Sequence, residues 1–127
     1  MYNLVRFLGW TVVILYALSV KRYYLRLGPF ADVKAFKPIR VFLTKAHKPL
    51  GIMTLIMAFV HAGLAFNNIS KSITGTLTML TMLTIVVFGI LLNMKKISAD
   101  KVKIHRAVAL SIPVLILLHI LFPYIFA

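Results

Sequence analysis

The stretch HKPLGIMTLIMAFVH, residues 47–61, opens and closes on histidine and is almost wholly apolar between. A second stretch, HRAVALSIPVLILLH at 105–119, repeats the arrangement, and the two together hold all 4 histidines of the chain. Along an α-helix each residue turns about 100° and rises about 1.5 Å, so fourteen residues return to within about 40° of the same face, about 21 Å further on. His47 and His61 therefore share one helix face at two heights, and so do His105 and His119.

The rest of the chain sets these helices in lipid. Of its 127 residues 61% are hydrophobic, mean hydropathy is +0.97 and only 13% are charged, against about 25% in soluble domains. Four apolar segments, about 4–20, 39–66, 73–94 and 104–126, each reach or approach the ~20 residues that cross ~30 Å of hydrocarbon. The second is long enough to tilt or to project from the membrane on its charged side. The breaks read KRYYLRLGP, NNISK and KKISADKVK. Backbone polar groups cannot stay unpaired in lipid, so the expected fold is all-α, a polytopic up-down bundle of four transmembrane helices forming one domain over 1–127.

Charge gives the orientation. Lys and Arg number 15 against 2 acidic residues, a net charge of +13. Arg6 stands alone near the N-terminus and Lys71 alone in the second break. The first break and the helix start after it hold Lys21, Arg22, Arg26, Lys34, Lys37, Arg40, Lys45 and Lys48, and the third holds Lys95, Lys96, Lys101, Lys103 and Arg106. By the positive-inside rule the first and third breaks are cytoplasmic and both termini extracytoplasmic. The expected location is the cytoplasmic membrane of a bacterium or archaeon, in contact with lipid. Basicity here encodes topology, so no nucleic-acid partner is expected. The N-terminal apolar run carries most of its positive charge after it and reads as a retained helix rather than a cleaved signal. Asn68-Ile69-Ser70 is a chance sequon match in a short loop. The absence of cysteine excludes disulfides, iron–sulfur clusters and thiolate ligation.

In such a bundle the second and fourth helices run parallel and face each other diagonally. His47 then lies level with His105 and His61 level with His119. One intramembrane histidine can be a packing residue, but ionisable groups in lipid are functional by default, and here all four fall into two matched pairs. A closed zinc site needs four ligands together, whereas each level offers two. Two axial imidazoles suit haem iron. Small residues stand one turn from three ligands to admit a flat ring: Gly51 after His47, Ala65 after His61 and Ala109 after His105, with Ala58 before His61. After His119 the same position is Pro123, and Pro113 bends the fourth helix between the levels. Thr74, Thr78, Thr81 and Thr84 share a face of the third helix, either as packing groups or as hydrogen-bond partners that orient an imidazole. Met53, Met57, Met79 and Met82 read as packing residues. Arg40, Lys45, Lys48, Lys103 and Arg106 flank the inner histidines, where they fix topology and can neutralise propionates or dock an acidic donor. The outer level has Asn67, Asn68, Lys71 and Arg6.

KVKIHRAVALSIPVLILLHI (101–120) resembles the ligand helix of ferric reductase-like transmembrane domains, where a basic run leads into His-Arg and a second histidine closes an apolar span. KAHKPLGIMTLIMAFVHAG (45–63) is similar to its partner helix. The same paired spacing occurs in the cytochrome b of bc-type quinol oxidases. The resemblance covers two helices of four and implies two b haems that carry electrons across a membrane, ligated by His47 with His105 and by His61 with His119. Ferric reductase-like domains usually have six helices, and many add a flavin and nicotinamide domain. No GxGxxG follows a strand here, so hydride chemistry would sit on another protein. The function expected is electron transfer from a cytoplasmic flavoprotein or a membrane quinol to an extracytoplasmic acceptor, as an electron-transfer subunit or oxidoreductase component, alone or in a homo- or hetero-oligomer. The rival class is a non-redox membrane anchor or assembly subunit.

Overall fold

A computed structural model describes residues 2–27, 33–65, 72–95 and 98–122, and nearly all of them are helical. The helices are α1 (Tyr2–Leu27), α2 (Lys37–Leu64), α3 (Ile73–Asn93) and α4 (Val102–Leu121), with short 3₁₀ turns Lys34–Phe36 and Ala99–Lys101 leading into α2 and α4. The loop 66–71, with Asn67, Asn68, Lys71 and the sequon, lies outside the described residues, as do Asp32, Lys96 and Pro123.

Local chemistry sets the helix ends. α1 continues past Val20 through Lys21, Arg22 and Arg26, because Lys, Arg and Leu are good helix formers, and it stops before Gly28-Pro29. Pro38 occupies the first turn of α2, where a missing N–H costs nothing. Ser72 caps α3, its hydroxyl accepting from the Gly75 N–H at 3.3 Å. α4 is described to Leu121, and residues 123–126 of the expected helix lie outside the described residues. Phe122 leaves the helical region (φ −135°, ψ 60°), and the residue before a proline is disfavoured in α backbone.

Three helices are long and apolar enough to cross a membrane: α1 over Tyr2–Lys21, α3, and α4. α2 is the longest at 28 residues, but Lys37, Arg40, Lys45, His47, Lys48 and His61 dilute its apolar character. It still spans the height of α4, since both of its histidines face those of α4.

Each neighbouring pair is antiparallel. Val5 near the start of α1 meets His61 near the end of α2, and Ser19 meets His47. Ser72 at the start of α3 meets His119 late in α4, while Gly89 meets His105. Lys48 Nζ donates to Asn93 Oδ1, joining α2 to α3. The described helices thus alternate up and down.

The core lies between the histidine levels. Val12 and Tyr16 of α1, Ala58 of α2, Met82 of α3 and Ile112 of α4 form one buried cluster, and Ile112 is fully enclosed. Ile112 stands two turns from each histidine of α4. Across the cluster the Tyr16 hydroxyl donates to the carbonyl of Ala109. That is the carbonyl whose i+4 partner would be Pro113, which has no N–H. Tyr16 therefore satisfies the one acceptor that the proline of α4 leaves open in the apolar interior. The outward faces are apolar: Phe7, Trp10, Ile14, Ile56, Leu80, Val114 and Leu117 are all exposed, as a surface in contact with lipid tails requires.

Candidate functional site: two facing imidazole pairs

The bundle brings the four histidines together as two pairs. The ring centroids of His47 and His105 are 6.4 Å apart with an interplanar angle of 85°. Those of His61 and His119 are 6.5 Å apart, also at 85°. All four rings are half-buried.

The separation discriminates between ways of using two imidazoles. A direct N–H···N hydrogen bond of about 2.9 Å would set the centroids about 5.2 Å apart. Two ligands of a tetrahedral metal at about 2 Å would set them about 5 Å apart. Two trans ligands at about 2 Å on one iron, each centroid about 1.2 Å behind its nitrogen, give about 6.3 Å. Both observed centroid separations exceed the first two values and lie close to the third. No group of three or more His, Cys, Asp or Glu gathers among the described residues, so neither level offers a protein-only metal cage.

Backbone carbonyls fix the tautomer of two of the rings. His47 Nδ1–H donates to the carbonyl of Ser19 at 2.9 Å, and His61 Nδ1–H donates to that of Val5 at 2.9 Å. A carbonyl only accepts, so both rings carry the proton on Nδ1 and leave the Nε2 lone pair for a metal. His119 Nδ1 lies 3.3 Å from Ser72 Oγ and 3.4 Å from Thr74 Oγ1. Thr74 Oγ1 itself donates to the Phe122 carbonyl at 3.5 Å, so it accepts from the imidazole. His105 Nδ1 is buried without a hydrogen-bond partner, and the Ile85 carbonyl lies on its side. His47 and His61 of α2 are thus held from α1, and His119 of α4 from the start of α3.

The small residues expected to admit a flat ring have separate fates. A Cβ on Gly51 would meet nothing within 4 Å, so space is open beside it. Ala109 contributes its carbonyl to Tyr16, and Ala65 caps α2, its N–H reaching the carbonyls of His61 and Ala62 at 3.1 Å. α2 and α4 face each other without extended backbone contact among the described residues, which leaves the rings as the bridge between them. Of the threonines, only Thr74 reaches a histidine. Thr78, Thr81 and Thr84 return their hydroxyls to the carbonyls four residues back. Met82 is buried in the core, Met57 packs beside it and Met53 is exposed. Lys48 is held by Asn93; Arg40 is half-buried and Arg106 exposed beside His47 and His105. Arg6 lies at the other end, its guanidinium 5.6 Å from the Tyr2 ring centroid.

Reading the sequence alone missed Val5, Ser19, Ser72, Gly9, Gly75 and Gly89. Val5 and Ser19 act through backbone carbonyls, which any residue supplies, so only the interval gives a signal. They stand fourteen apart, as do Gly75 and Gly89, matching the histidines they run against. Compared with known families, curated proteins and solved structures, the chain matches none.

Proposed function

We propose that the protein is a dihaem b-type cytochrome that conducts electrons across a membrane, similar in role to ferric reductase-like domains. One observation carries the reading: two ring pairs on facing helices, each at the spacing of trans bis-imidazole ligation, one above the other in an apolar bundle. His47 and His105 would hold one b haem and His61 and His119 the other, about 21 Å apart along the helix axis. The haems supply one-electron chemistry when bound. The chain's own residues do the rest. The histidines hold and orient, Ser19, Val5, Ser72 and Thr74 fix the rings and raise their basicity, and the central cluster keeps water from between the levels. No CxxCH is present to attach haem covalently.

The His47–His105 level lies beside Lys45, Lys48, Lys103 and Arg106, so by the positive-inside rule it faces the cytoplasm, and both termini face outward. Positive charge there steers an acidic donor such as a small flavoprotein to the inner face. The acceptor is extracytoplasmic. The test is reduction of the haem-loaded protein in sealed, oriented vesicles. Electrons should cross from an inner donor to an impermeant outer oxidant, and rising salt should slow a soluble flavoprotein donor. Fast reduction by quinol alone, indifferent to salt, would make the protein a quinol oxidase subunit. No crossing with both haems present would overturn the conduit.

A further inference from the structure

Helix glycines are weak helix formers, and in membranes small residues ordinarily let backbones approach. Three glycines in this bundle serve a different neighbour. The three nearest atoms to a Cβ on Gly9 would all belong to the His61 ring: Cε1 at 3.1 Å, Nδ1 at 3.5 Å and Nε2 at 3.8 Å. On Gly89 it would meet only His105, with Cε1 at 3.2 Å and Nδ1 at 3.8 Å. On Gly75 it would meet His119 Cε1 at 2.8 Å and Nδ1 at 3.1 Å, together with Ser72 Oγ at 2.9 Å. The same addition at Gly63 meets nothing within 4 Å.

Where Gly9 and Gly89 lie relative to the ring acceptors is regular. Val5, whose carbonyl takes the His61 proton, is one helical turn before Gly9. Ile85, whose carbonyl faces His105, is one turn before Gly89. In an α-helix the carbonyl of residue i points along the axis toward residue i+4. A glycine at i+4 therefore opens a notch directly above that carbonyl, and the imidazole edge lies in it. At the third site Ser72 and Thr74 supply the hydroxyl partners of the ring and Gly75 the notch.

We propose that Gly9, Gly75 and Gly89 are seats for the imidazole rings, positioning residues that fix the planes of His61, His119 and His105 and hence the near-perpendicular ring pairs. The proposal deepens the haem reading and rests on it for the ligand role of the rings, but the seats themselves are a property of the polypeptide. A methyl group at Gly9 finds the His61 ring already pinned at Nδ1 by Val5. The ring must give by a few tenths of an ångström against that hydrogen bond, which shifts the angle it presents to its partner.

Two measurements on the full chain test this. Perpendicular axial planes leave the iron orbitals that meet the imidazole π systems nearly degenerate, giving a low-spin ferric EPR signal with one very large g value. In oxidised, haem-loaded protein, Gly9→Ala and Gly75→Ala should reduce the anisotropy of the His61–His119 signal only. Gly89→Ala should do so for the His47–His105 signal only, and Gly63→Ala should change neither. Gly75→Ala should act most strongly; if it fails to fold, Gly9→Ala and Gly89→Ala decide. In haem-free protein, long-range ¹H–¹⁵N spectra of the ring nitrogens should show each substitution moving its own histidine and no other. Ring signals that stay in place would overturn the seats even if haem is present. Ring signals that move as expected in a chain that binds no haem would uphold the seats and overturn the conduit.

Discussion

Tyr16 and Pro113 act as a unit. Proline in a helix interior removes one hydrogen bond, and in lipid no water replaces it. The Tyr16 hydroxyl donates to the Ala109 carbonyl that Pro113 leaves free. Tyr16→Phe should therefore destabilise the fold by about 1 kcal/mol, the net worth of a hydrogen bond to an otherwise unpaired buried carbonyl. In a Pro113→Ala background the carbonyl regains its own helix N–H, and the cost of Tyr16→Phe should fall toward zero. Equal costs in both backgrounds, by equilibrium unfolding in mixed micelles, would show that tyrosine and proline are uncoupled. The sequence marks Pro113 as a bend but says nothing of Tyr16, because the partnership joins residues in the first and last helices. The four ligand candidates were legible for the opposite reason: their signal is a local interval on one helix. The hydrogen bonds that orient them were not, since two of their acceptors are main-chain oxygens that carry no residue identity.

At the scale of elements, hydrophobic runs located four helices and mistook several ends. α1 outruns its apolar segment because charged residues with long aliphatic stems extend a helix beyond lipid as readily as apolar ones. α4 is described as far as Leu121, and Phe122 leaves the helical region ahead of Pro123 in the sequence, whose ring disfavours α backbone in the residue before it. What the element scale adds is register. α2 and α4 place His47 against His105 and His61 against His119, and each is braced by its own hairpin partner. His47→Ala and His105→Ala should consequently give one altered spectrum with the same haem lost, and His61→Ala and His119→Ala a second. Reduced-minus-oxidised spectra of the four variants check this. Four distinct spectra, or shared loss between His47 and His61, would contradict the register.

For the whole molecule, charge and burial divide the labour. The basic residues of the first and third breaks give the two ends of the bundle unlike potentials, the kind of asymmetry that sets topology and guides charged partners. The apolar exterior is a lipid-facing surface, and the buried cluster of Val12, Tyr16, Ala58, Met82 and Ile112 holds the two histidine levels apart. The proposed function implies one stoichiometry. A pyridine haemochrome assay on the purified, folded protein measures it directly. Two b haems per chain, released by acidic acetone, is the result this account predicts. A well-folded preparation with no haem would contradict it and leave the paired histidines as struts of a membrane anchor.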